Sequence, residues 1–175
     1  MTDRGNDTWG GITADELREA WDSRLRPIPD DLIAAAVSPV TRSLLTEVGL
    51  PTVEVLGVSF VSGSGLSNVE RHAGNEYLVV TDAMPYMAYA IDVDTDEVVE
   101  FDRRDPAGTR FVNSDLATLI LYLGQVWRAA SLTEAAAAKA AFAEIRESLS
   151  LLDPVAVEEG APWWLLLDEL ESNAE

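Results

Sequence analysis

Tyr86-Met-Ala-Tyr-Ala-Ile-Asp-Val-Asp-Thr-Asp-Glu-Val-Val-Glu-Phe-Asp102 is the stretch that decides the fold class. Two runs rich in β-branched and aromatic residues flank a centre of aspartates, which tolerate turn dihedrals, so the stretch reads as an antiparallel hairpin. Alternation predicts that Tyr89, Ile91, Val99 and Phe101 share one face, with Ile91 opposite Val99 and Tyr89 opposite Phe101. That register needs an odd-sized loop, because a slip of one residue sets Ile91 against Glu100.

Outward from the hairpin, further strands are predicted at residues 55–61, 76–81 and 110–112, with Gly63, Gly65 and Gly74 marking turns between the first two. On the N-terminal side, Thr13-Ala-Asp-Glu16 is a capping box, stapled by Ile12 and Leu17, that opens a helix over 14–23 with Leu17 and Trp21 on one face. Arg26-Pro-Ile-Pro29 leads away from it. Ser38 and Pro39 start a second helix, Gly49 and Pro51 end it, and Leu44, Leu45 and Val48 form its buried face.

On the C-terminal side, Asn113 or Ser114 is expected to cap a helix bearing Leu116, Leu119, Ile120, Leu123 and Trp127. Ser131-Leu-Thr-Glu134 reads as another capping box before an Ala-rich helix. Its Leu132, Phe142, Ile145, Leu149 and Leu152 follow the helical period. Pro162 starts a last helix with Trp163, Leu166, Leu167 and Leu170 on one face. Helices, then strands, then helices, without βαβ alternation, predict an α+β fold: a central antiparallel sheet of about five to six strands packed with N-terminal and C-terminal helices. Residues 1–12 are expected to be loose and residues 13–175 to form one domain.

The chain holds 31 acidic and 12 basic residues, for a formal net charge of -19, with one histidine and no cysteine. A backbone-binding nucleic-acid protein needs the opposite sign, so nucleic acid is not expected as a partner. Self-repulsion of this size works against the compact state, and it suits attraction to a basic protein. Disulfides and cysteine metal sites are excluded. No basic region followed by an apolar run opens the chain, and no stretch approaches the roughly 20 apolar residues of a membrane helix, so a cytoplasmic protein without membrane contact is expected.

No motif completes a catalytic or cofactor site. Asp92-Val-Asp-Thr-Asp96 begins like a calcium loop, but Glu97 stands where the loop needs Gly and Arg103 where it needs the bidentate Glu. His72 lies in a polar stretch with no local nucleophile or orienting group. Gly63-Ser-Gly65 lacks the Gly-Lys-Ser/Thr ending of a phosphate loop. No catalytic, metal or cofactor residues are therefore assigned. The candidate partner-binding residues are the acids Asp92, Asp94, Asp96, Glu97, Glu100 and Asp102, together with Trp164. Glu100 and Asp102 are expected to point away from the face of Val99 and Phe101, with Asp92 on the same side. Of the adjacent Trp163 and Trp164, one is expected in the core, leaving the other for a neighbouring loop or a partner.

Four segments together resemble the SUKH superfamily of bacterial immunity proteins, in particular its fourth subgroup. The first is Trp21 followed by Arg26-Pro-Ile-Pro29 and Thr41-Arg-Ser-Leu-Leu-Thr-Glu-Val-Gly-Leu-Pro51. The second is the hairpin segment Tyr89 to Val99, and the third is Phe111-Val-Asn-Ser-Asp115. The last is Asp153-Pro154 followed by Trp163-Trp164 and Leu167. These are helix boundaries and core positions rather than catalytic signatures, and their order matches from about Thr13 to Leu170. One departure is that the family often carries Gly near Asp96 or Glu97. The resemblance implies a non-enzymatic domain that binds and neutralises a cognate toxin, often an enzyme acting on nucleic acid. Two other readings stay open: a regulatory interaction module without a toxin partner, and a small metal-dependent hydrolase using the acidic hairpin.

Overall fold

The computed structural model describes residues 8–81, 86–105 and 108–174. Of the segment expected to be loose, residues 1–7 lie outside these. Thr8–Trp9 (β1) and Ile12–Thr13 (β2) pair across a Gly10-Gly11 turn, and Trp9 and Ile12 enter the core. The Thr13–Glu16 capping box closes as expected, with Thr13 N–H donating to the Glu16 carboxylate at 2.7 Å, and opens α1 (Ala14–Trp21). Leu25–Arg26 (β3) pairs with Leu50–Pro51 (β4) on either side of α2 (Pro39–Glu47). Ser38 caps α2 and Pro39 occupies its first turn. Gly49, at φ 88°, is held against β3 so closely that a Cβ would stand 1.8 Å from the Arg26 carbonyl oxygen, so only glycine fits.

The main sheet is a five-stranded antiparallel meander in chain order. Its strands are β5 (Glu70–His72), β6 (Asn75–Val79), β7 (Met87–Asp92), β8 (Val98–Asp102) and β9 (Thr109–Asn113). The strand expected at 55–61 does not form as one run. Leu56 (φ 50°) and Gly57 (φ 79°) fold Val55 back onto Val58, and the run meets the chain only just beyond β6, where Phe60 bridges to Thr81 and Val61 N–H donates to the Val80 carbonyl at 3.0 Å. β5 is not among the predicted strands; it lies in the polar stretch around His72 and forms because Ala73-Gly74 makes the tight two-residue turn to β6.

The hairpin register differs from the expected one. Ile91 lies opposite Val98, Ala90 opposite Val99 and Tyr89 opposite Glu100, around an even-sized loop. The cause is Asp92, whose Oδ1 accepts the backbone N–H groups of Asp94 (2.9 Å) and Thr95 (3.3 Å), while Asp96 takes a left-handed φ of 63°. This local turn decides the pairing. Ile91 and Val98 therefore face the main core with Leu78, Val80 and Val112. Val99 and Phe101 join Tyr77, Val79, Ala88 and Ala90 in a second cluster on the opposite face. The sheet curls around that cluster. His72 on β5 stacks on Phe101 with ring centroids 4.4 Å apart and approaches the Gly108 carbonyl with its Nε2 at 3.3 Å. Glu70 pairs with Arg103 at 3.1 Å.

Against the main face lies α3 (Leu116–Ala130), which is buried on nearly every side and so behaves as a core helix. Its cap is Asp115, one residue beyond the expected pair, whose carboxylate accepts the Thr118 N–H at 2.8 Å. α1 crosses it at Gly124, where a Cβ would meet the Trp21 indole nitrogen at 2.7 Å, and that nitrogen donates to the Ile120 carbonyl at 2.9 Å. α4 (Ala135–Leu152) and α5 (Pro162–Asn173) complete the layer. The second expected capping box does not form. Ser131 instead donates to the Trp127 carbonyl, and Glu134 precedes α4 without a side-chain cap. Phe142, Ile145 and Leu149 are buried as their spacing predicts, whereas Leu132 and Leu152 are exposed.

Candidate partner interface

The acidic residues of the hairpin do not form one surface. Asp92 is buried on the second-cluster side, opposite Tyr77, and is occupied by the turn it caps. This departs from the expectation that it shares a side with Glu100 and Asp102, and the cause is the shifted register. Asp96 is partly buried, its Oδ1 accepting the Thr41 hydroxyl of α2 at 3.0 Å. Thr41 is itself buried, so the contact ties the hairpin tip to α2. Asp94 and Glu97 are the two acids of the set that are exposed.

Glu100 points away from Val99 and Phe101, as alternation requires, but that direction leads under the helices. Its side chain is 8% exposed and is paired by Arg110 of β9. A carboxylate so placed needs such a partner, since an unpaired buried charge is costly. The pair lies in a cleft of about 240 Å³ with Tyr89, Trp163 and Leu166. Burial, then the Glu100 charge, push the Tyr89 phenol up to about 12, with Arg110 acting in the opposite sense. Asp102 is clasped by Arg104, whose side-chain and backbone hydrogen bonds hold its carboxyl down to about 2.

Trp163 is the buried member of its pair and Trp164 is partly exposed. The Trp163 indole donates to Asn113 Oδ1 at 2.8 Å, and Asn113 in turn donates to Asp153 Oδ2 at 3.1 Å. Ser114 gives both its backbone N–H (2.8 Å) and its hydroxyl (2.9 Å) to the same carboxylate. Asn113 and Asp153 are buried, so this network locks the end of β9 to the start of α5. Sequence spacing gave no sign of it, although each member lies in a segment that carried the family resemblance.

Among the described residues, no three His, Asp or Glu side chains are grouped so as to hold a metal ion. Nor is any helix among them long and apolar enough to cross a membrane.

The fold, with helices on one face of a curled antiparallel sheet, and the buried Asn113–Asp153–Trp163 network join all four segments of the resemblance into one unit. The SUKH-4 immunity protein family matches residues 12–167, and the chain belongs to that family. Membership supports an immunity function exerted on a protein partner such as a toxin. Comparison with curated proteins and with solved structures finds no match.

Proposed function

We propose that the protein is a non-enzymatic immunity protein that neutralises a cognate polymorphic toxin by stoichiometric binding in the cytoplasm of the producing cell. The observation that carries this reading is the family match across residues 12–167. The net charge of -19 supports a basic partner. A toxin that acts on nucleic acid fits best, because a groove that holds a phosphate backbone must be positive. An acidic protein is drawn to such a groove and can occupy it.

Within the hairpin, Asp94 and Glu97 are the acids free to meet the partner, with the partly exposed Trp164 as a separate contact. Asp92, Asp96, Glu100 and Asp102 act behind them, through the turn, Thr41, Arg110 and Arg104. The test is co-expression with the toxic domain encoded by a neighbouring gene. Growth should be restored and a one-to-one complex should form. Undiminished lethality with the soluble chain present would sink the reading.

A further inference from the structure

The end of α4 departs from its own period. Phe142, Ile145 and Leu149 are buried in turn, yet Leu152, next in phase, is 41% exposed, Leu151 is 81% exposed and Val155 48% exposed. Apolar side chains exposed in such close succession are uncommon on a protein that binds nothing. Leu151 and Leu152 line a groove of about 540 Å³, with Leu121 and Tyr122 of α3 at its base and Glu16 and Glu19 of α1 opposite.

The charge around the groove has one dominant sign. Glu16 and Glu19 are exposed, and Thr13 hydrogen bonds hold the Glu16 carboxyl below its ordinary range. On the α4 side, exposed Glu147 stands one turn before Leu151 on the same helix surface. Arg128, the one base of the lining among the described residues, is turned to the Glu19 backbone carbonyl at 3.1 Å. Gln125 and Ser148 also line the groove, so exposed leucines on one side and acids on the other frame a surface of mixed polarity, which selects for a basic, amphipathic occupant.

We infer that the groove between α1 and α4 anchors the partner by taking a basic amphipathic segment, with an apolar side chain seated on Leu151 and Leu152 and flanking Arg or Lys residues against Glu16, Glu19 and Glu147. The identity of the partner as a toxin rests on the reading above, whereas the chemistry of the groove does not. A second copy of this chain is the poorer occupant, since two molecules of charge -19 repel.

The experiment has two arms. In the first, random peptides displayed on phage are selected on the full chain. Enriched peptides should carry apolar residues at helical spacing between Arg or Lys, and should bind the Leu151→Ser/Leu152→Ser variant about tenfold more weakly. Glu19→Lys should weaken them too, most at low salt. Peptides without bases, or equal binding to the double variant, overturn the inference. So does a dimer of the wild-type chain that the double variant abolishes. Circular dichroism melts confirm that the variants fold, as the exposure of both leucines leads one to expect.

In the second arm, the neighbouring toxic domain is titrated with wild type and double variant. Equal binding to both removes the groove and leaves immunity intact. No binding to wild type, alongside groove-dependent peptides, removes immunity and leaves the groove.

Discussion

Asn113 donates its side-chain amide to the carboxylate of Asp153 at 3.1 Å, across 40 residues of chain. The amide's oxygen is meanwhile held by the Trp163 indole. One buried asparagine thus couples a strand end, the end of α4 and the start of α5. Removing the carboxylate strands the buried Asn113 amide inside the protein, while the exposed Ser114 turns to water. Asp153→Ala is expected to cost about 2 kcal/mol, given the penalty for a buried donor left without an acceptor. Urea unfolding followed by tryptophan fluorescence measures it, and a loss under about 1 kcal/mol would show that the network adds little.

The resemblance expects Gly near Asp96 or Glu97, and of the two it is Asp96 whose backbone would suit glycine. It adopts φ 63°, which glycine takes freely and Asp tolerates better than most residues. Its side chain adds the bond from buried Thr41. Asp96→Ala keeps neither advantage and should destabilise by about 1–3 kcal/mol, whereas Asp96→Asn should stay close to wild type. Thermal melts of the two variants side by side decide this, and equal losses would refute it.

Tyr89 gives the protein an alkaline limit. In the unfolded chain its phenol ionises near the ordinary value of about 10. In the folded protein burial and Glu100 raise it to about 12. The unfolded state therefore releases the proton first as pH rises. The stability contributed is intact below about pH 10 and is lost between about 10 and 12. Tyr122, raised mainly by burial, adds to the same slope. Tyr89→Phe should flatten the fall in unfolding free energy over that window without abolishing it. An unchanged slope would rule out the linkage.

The shifted register changes which charges a partner can meet. Asp94→Lys with Glu97→Lys is expected to slow association with the toxin domain by about tenfold at low salt, with little change in dissociation rate. The difference should shrink as salt is added. Stopped-flow association across a salt series tests this, and identical rates would place the contact elsewhere. Glu100→Lys belongs to a different experiment. It would set a lysine against Arg110 under the helices, and it should fail through folding rather than binding.

What the sequence disclosed and what it withheld follow a physical division. The helix starts at Thr13, Ser38 and Pro162 were legible because capping is local chemistry. So was the α+β order, because the hydrophobic period changes along the chain. The false capping box at Ser131 obeyed the same pattern, but its serine was already engaged by the preceding helix. The hairpin register failed because alternation cannot count a loop whose length is chosen by Asp92 and Asp96. The acidic surface was overestimated for a related reason. Pointing away from Val99 and Phe101 leads under the helices rather than into water, because both faces of this sheet are covered. Leu152 shows the converse, since its phase matches the core and the described residues leave it exposed.

The meander of β5 to β9 also separates fast events from slow ones. Each strand pairs with the next in sequence, so the sheet can assemble from short loops. The Trp21 indole, by contrast, waits for a carbonyl 99 residues ahead, at Ile120. During synthesis α1 therefore leaves the ribosome before its tryptophan's partner exists, and its seating against Gly124 has to wait until α3 has been made.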